Sequence, residues 1–148
     1  MKKEKNELKP VPNARKMLDQ LLDAAWEKKA YDTVALDVAE TIGYTDYMVI
    51  LTGRSTRHVS SIAQAVVKTM RKQGMRPIGK EGMRHGRWTV LDYGDVVMHI
   101  FVAELRQLYD LEGLWSDCPR VEIQEPKWVT EFENSDPDLE LDEDLDDF

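Results

Sequence analysis

Residues 47–66 read YMVILTGRSTRHVSSIAQAV, and two changes of pattern within them decide the fold. Tyr47, Val49 and Leu51 fall on one face of an extended chain, Met48 and Ile50 on the other. Apolar residues on both alternating faces mark a central strand covered on both sides. Gly53 then turns the chain, and Ser55 stands where a helix N-cap is required. From there the period becomes helical: Val59, Ile62, Ala63, Val66, Val67 and Met70 form one buried stripe. Lys68, Arg71 and Lys72 sit in the last turns, where the helix dipole favours cations, and Gly74 is the expected stop. A glycine turn at the foot of a helix is also the frame of many phosphate loops. Arg54, Ser55, Arg57 and His58 are therefore candidate anion-binding residues, and the question is whether they hold a ligand or only turn the chain.

The same strand and helix periods extend outward. Asn13, after Pro12, is the expected cap of a helix over 14–30, with Leu18, Leu21, Leu22, Ala25 and Trp26 on one stripe. TVALDV (33–38) reads as a first strand interrupted only by Asp37. RPIGKEG (76–82) reads as a short edge segment, because Pro77 cannot donate to a ladder. RWTVLDYGDVVMHIFVAE (87–104) gives two strands around Tyr93-Gly94-Asp95, a hairpin signal. In the first, Trp88, Val90 and Asp92 share one face, and Thr89, Leu91 and Tyr93 the other. ELRQLYDLEGLW (104–115) reads as a closing helix. The order predicts an α/β layered domain with a mixed sheet of about five strands flanked by helices.

At 148 residues the chain fits one domain. A single cysteine, Cys118, excludes an intrachain disulfide and suits a reducing compartment. No window approaches 18 apolar residues, and MKKEKNELKPVPN (1–13) matches neither a secretory signal nor a transit peptide, so a cytoplasmic protein is expected. The net charge of −8 belongs to one end: residues 131–148 hold ten acids and no bases, leaving 18 acids against 20 bases before them. The expected organisation is a flexible 1–12, a domain over 13–115, and an acidic, disordered tail over 116–148.

Catalytic constellations fail on chemistry. Ser55 and His58, with Asp46 or Asp95, would make a hydrolase triad, but the G-x-S-x-G elbow is absent. His58, His85 and His99 lack carboxylates at ligand spacing, so no metal site is expected. No Walker loop occurs. Nucleotidyl transfer needs two metal-holding acids at i and i+2 on a strand. Here Asp92 and Asp95 are three apart and straddle a turn. The run Arg71, Lys72, Arg76, Lys80, Arg84 and Arg87 is basic, but an acidic tail on the same chain would compete with free nucleic acid for it.

ALDV, TDYMVILTGRSTRHVSSIA, EG, W-x-VLDYGDVVMHIF and E-x-R-x-LYDLE-x-LW together resemble the ribosomal silencing factor family, also called the Iojap family, over roughly residues 16–115. The resemblance implies a nucleotidyltransferase-like α/β fold without the catalytic acids, and no cofactor. It implies a translation repressor rather than an enzyme, with a nucleotide-handling enzyme at Gly53–His58 as the alternative. It further implies binding to the large ribosomal subunit through ribosomal protein fourteen, which obstructs joining of the small subunit when nutrients are short. Carried over by position, the contact surface falls on Trp88, Thr89 and Leu91, with Tyr93 and Met98 nearby, and weak self-association is a further expected contact. Trp88 supports this as a strand-start tryptophan beside Arg84 and Arg87, a composition common in interface hot spots. The Gly53 corner is then better read as structural.

Overall fold

The computed structural model describes residues 12–134. Helix α1 (Pro12–Glu27) opens the domain. Proline occupies its first position, where no backbone donor is needed, so Asn13 lies in the first turn rather than capping it. The helix ends before the predicted residue 30, at a turn with Lys29 at φ 66°. Strands β1 (Tyr31–Asp37) and β2 (Tyr47–Gly53) follow, then α2 (Thr56–Lys72), β3 (Gly79–Glu81), β4 (Trp88–Asp92) and β5 (Val96–Val102).

The five strands form one sheet in the order β1-β2-β5-β4-β3. Only β2 and β5 run parallel, so the sheet is mixed as the sequence predicts. Every residue of β2 is buried, as its two apolar faces require. One face, carrying Tyr47, Val49, Leu51, Leu91, Met98 and Ile100, packs against the apolar stripes of α1 and α2. At the corner joining β2 to α2, a Cβ on Gly53 would stand 2.8 Å from a Val59 methyl. Glycine is needed there for close approach of helix to strand.

The opposite face carries Val34, Leu36, Met48, Ile50, Val97 and Phe101. Short elements cover it: Leu105 from α3 (Ala103–Tyr109), Leu111 from α4 (Leu111–Leu114), and Trp115 and Cys118 beyond. The single helix predicted over 104–115 breaks at Asp110, which adopts a left-handed φ of 44° and accepts from the Gly113 N–H at 3.1 Å. Among the described residues, no helix is long and apolar enough to cross a membrane.

The domain continues past residue 115. The Asp37 N–H donates to the Pro119 carbonyl at 2.8 Å, and the Val121 N–H to Ala35 at 2.8 Å, so the chain pairs along the free edge of β1. Thr33 links this segment to the core, accepting from Trp26 Nε1 at 3.0 Å and donating to Glu125 at 2.9 Å. Helix α5 (Lys127–Glu133) then buries Val129 completely. The tail expected from 116 is thus folded through 134, because Val121, Ile123 and Val129 supply apolar contacts among the acids. The expectations for 1–11 and 135–148 lie outside the described residues.

Candidate functional site

The corner at the foot of α2 is built for structure. The Ser55 hydroxyl caps the helix, accepting from the His58 N–H at 3.1 Å. The His58 ring is fully buried. Its Nδ1 accepts from the Arg54 N–H at 2.9 Å, which leaves Nε2 to carry the proton and donate to the Lys28 carbonyl at 2.7 Å. Both ring nitrogens are therefore used, and neither faces the Ser55 hydroxyl as a base. Arg54 lies over the Phe132 ring at 4.0 Å and donates to the Phe132 carbonyl, so α5 lies over this corner. Of the four candidate anion ligands, Arg57 alone is exposed; Arg54 and Ser55 are half-buried and engaged. Asp92, whose spacing from Asp95 already spoke against a metal-holding pair, accepts from the Gly94 N–H at 2.8 Å and stabilises the hairpin turn.

The other site begins at Trp88. The β4 register sets it opposite Phe101, and sets Val90 opposite His99, on the face away from α1 and α2. Its indole N–H donates to His99 Nδ1 at 3.0 Å. The ring stacks on Phe101 with centroids 4.9 Å apart and meets Tyr109 at 4.7 Å. These contacts fix a half-buried tryptophan in one orientation beside Tyr109, which is 51% exposed. The loop before it is equally constrained. Gly82 and Gly86 have φ of +77° and +69°, and a Cβ on either would come within 2.1 Å of a carbonyl oxygen, of Trp88 and Thr56 respectively. Exposed Arg84, His85 and Arg87 line the route into the strand.

Four of the five residues expected at the contact surface are inside. Thr89, Leu91 and Met98 have no exposed surface, and Tyr93 is 5% exposed. The reason is the two-residue period of the strand: with Trp88 on one face, Thr89 and Leu91 point at α2, and Met98 pairs with Leu91 there. Thr89 spends its hydroxyl on the Gly82 carbonyl at 3.2 Å. The Tyr93 hydroxyl has no partner among the described residues, and burial pushes its pKa up to about 12. Trp88 is the one expected contact that reaches the surface.

His99 is the polar support of this face, and burial lowers its pKa from the ordinary 6.5 to about 4. The neutral ring is what lets Nδ1 accept from Trp88. In the unfolded chain the imidazole gains its proton near 6.5, so its contribution to stability is complete above that pH. It falls as pH drops from 6.5 to about 4, by about 3 kcal/mol, and changes no further below that. Denaturant unfolding at pH 7 and pH 4.5 should show a smaller acid loss in His99→Gln than in wild type. Equal losses would contradict this assignment.

Arg106 was not singled out by sequence reasoning. It is only 7% exposed and forms a bidentate pair with Glu112, at 3.1 and 2.9 Å. Its remaining donor reaches Thr52 Oγ1 at 2.8 Å and the Asp32 carbonyl at 2.5 Å. One side chain thus joins α3, α4, β2 and β1. Its signal in the sequence was the spacing E-x-R-x-LYDLE, which sets an arginine six residues before a glutamate across a helix break.

Comparison with known proteins agrees with this architecture. A family model described as "Ribosomal silencing factor during starvation" matches residues 11–144. The ribosomal silencing factor of Halalkalibacterium halodurans is 36% identical over 110 residues, covering 74% of this chain and 94% of that one. That of Bacillus subtilis is 33% identical over 111 residues, covering 75% and 94%. A crystal structure of a Bacillus halodurans protein superposes with a TM-score of 0.67 at 35% identity, covering 74% of this chain and 99% of that one. With the family blocks placed in the core strands, the α2 corner and the aromatic face, the chain belongs to the ribosomal silencing factor family.

Proposed function

We propose that this protein represses translation by binding the large ribosomal subunit and sterically preventing the small subunit from joining, mainly under nutrient limitation. Ribosomal protein fourteen is the proposed point of contact, and no bond is made or broken. The observation that carries the reading is Trp88, a half-buried indole fixed by His99, Phe101 and Tyr109 on the sheet face that no long helix among the described residues covers. A preorganised aromatic anchor lowers the entropy cost of docking. The proposed contact surface is Trp88 with Tyr109, preceded in the chain by the exposed Arg87, while Thr89, Leu91, Tyr93 and Met98 support it from inside.

The nucleotide-handling alternative has less support, since the ring of His58 is committed to Arg54 and Lys28. Sedimentation of the protein with isolated large subunits tests the proposal. Co-sedimentation that saturates at one copy per subunit, and that free ribosomal protein fourteen competes away, is expected. Absence of binding would contradict it.

A further inference from the structure

The side of the domain opposite Trp88 carries a second surface. A cavity of about 680 Å³ opens along α2 and is lined by Lys28, Lys68, Arg71 and Lys80, with no carboxylate among the described residues that line it. Ser61 and Gln64 add polar groups, and Met83 adds apolar surface. The lining positions on α2 run from 61 to 71, about 15 Å of helix. Lys80 reaches the same side because it pairs with Leu91, whose side chain faces α2.

Position and charge identify an occupant. The Phe132 ring packs on Arg54 and stands 5.7 Å from the His58 ring, and His58 bonds the backbone of Lys28, one of the lining residues. The described residues end at Asn134, two positions after this Phe132 contact, which also brings Lys29 Nζ to 5.7 Å from the ring. Residues 135–148, SDPDLELDEDLDDF, contain eight acids and no base. Without those eight, the chain has 20 acids against 20 lysines and arginines, so the whole net charge of −8 resides in this segment. Fourteen residues extend up to about 45 Å, three times the length of the cavity along α2. In Asp138-Leu139-Glu140-Leu141-Asp142, acids also alternate with leucines, a composition matched to a groove offering both cations and Met83.

We propose that residues 135–148 dock in this basic groove of their own chain and screen it from other polyanions. Because the groove and Trp88 lie on opposite faces of the sheet, docking leaves the aromatic face free. The inference does not depend on the proposed ribosomal role. Its effect is selectivity, since phosphate-rich polymers meet a neutralised surface while a partner of the aromatic face is still admitted.

Carbodiimide coupling, which joins carboxylates to amines in salt-bridge contact, tests this on the full-length protein. Links from 136–147 to Lys68 and Lys80 should exceed links to Lys16 and Lys127 at least tenfold and should fall within one chain in an isotope-mixed sample. Even distribution over all four lysines, or links between chains, would overturn the proposal. A second arm uses inorganic polyphosphate as the probe. Full-length protein with the eight acids changed to amides should bind it about tenfold tighter than wild type at low salt. That gain should disappear when Lys68→Glu, Arg71→Glu and Lys80→Glu are added. Equal affinity of the amide variant and wild type, or a gain that survives charge reversal in the groove, would also overturn it.

Discussion

Arg106→Ala is expected to lower the free energy of unfolding by about 3 kcal/mol, a large fraction of the stability of a domain this size. The substitution leaves Glu112 without its bidentate partner and strands two acceptors, Thr52 Oγ1 and the Asp32 carbonyl, which Arg106 now satisfies. Arg106→Lys should recover only part of the loss, because an ammonium cannot reproduce the planar two-pronged contact. The pH dependence follows from Glu112. Its pKa is lowered, first by the Arg106 hydrogen bond, against the opposing effect of burial. A depressed carboxylate contributes stability above its unfolded pKa and loses it as pH falls through the folded value. The gap between wild type and Arg106→Ala should therefore be widest above pH 4.5 and narrow in more acidic solution. Denaturant melts at several pH values measure this; a gap that widens in acid would contradict the assignment.

Trp88→Ala should weaken binding to the large subunit by about 2 kcal/mol or more, roughly 30-fold in Kd. The anchor disappears, and with it the donor that satisfies His99 and the ring that stacks on Phe101 and meets Tyr109. Some stability is lost as well, so the binding comparison belongs at a temperature where circular dichroism shows the variant folded. Trp88→Phe separates the contributions. It keeps a ring against Phe101 but has no N–H for His99, and should fall between wild type and alanine. Wild-type affinity in folded Trp88→Ala would show that the contact lies elsewhere on the domain.

The central architecture was legible because its signals were local. The all-apolar period of Tyr47–Leu51, the Ser55 cap and the helical stripe through Met70 each appear in the structure as read. The alternation in Trp88–Asp92 was equally legible, and it already placed Thr89 and Leu91 on the face opposite Trp88. Assigning all three to one contact surface conflicted with that geometry, and the burial of the two followed from it. The segment after 115 was harder, because its apolar residues are sparse and acids surround them. Val121 and Val129 have meaning only once β1 offers a free edge and the core offers a gap. Arg106 was hidden for a related reason: a helix arginine ordinarily faces solvent, and its burial requires partners from β1, β2 and α4 that only tertiary structure assembles. The break at Asp110 likewise depends on a left-handed aspartate that a continuous helical pattern conceals.

The most direct test of the proposed steric mechanism is subunit joining, followed by light scattering, with large subunits preincubated at increasing concentrations of this protein. The joined fraction should fall in proportion to measured occupancy, without nucleotide or metal-dependent turnover, and Trp88→Ala should shift both curves together to about 30-fold higher concentration. Full occupancy of the large subunit with undiminished joining would contradict it.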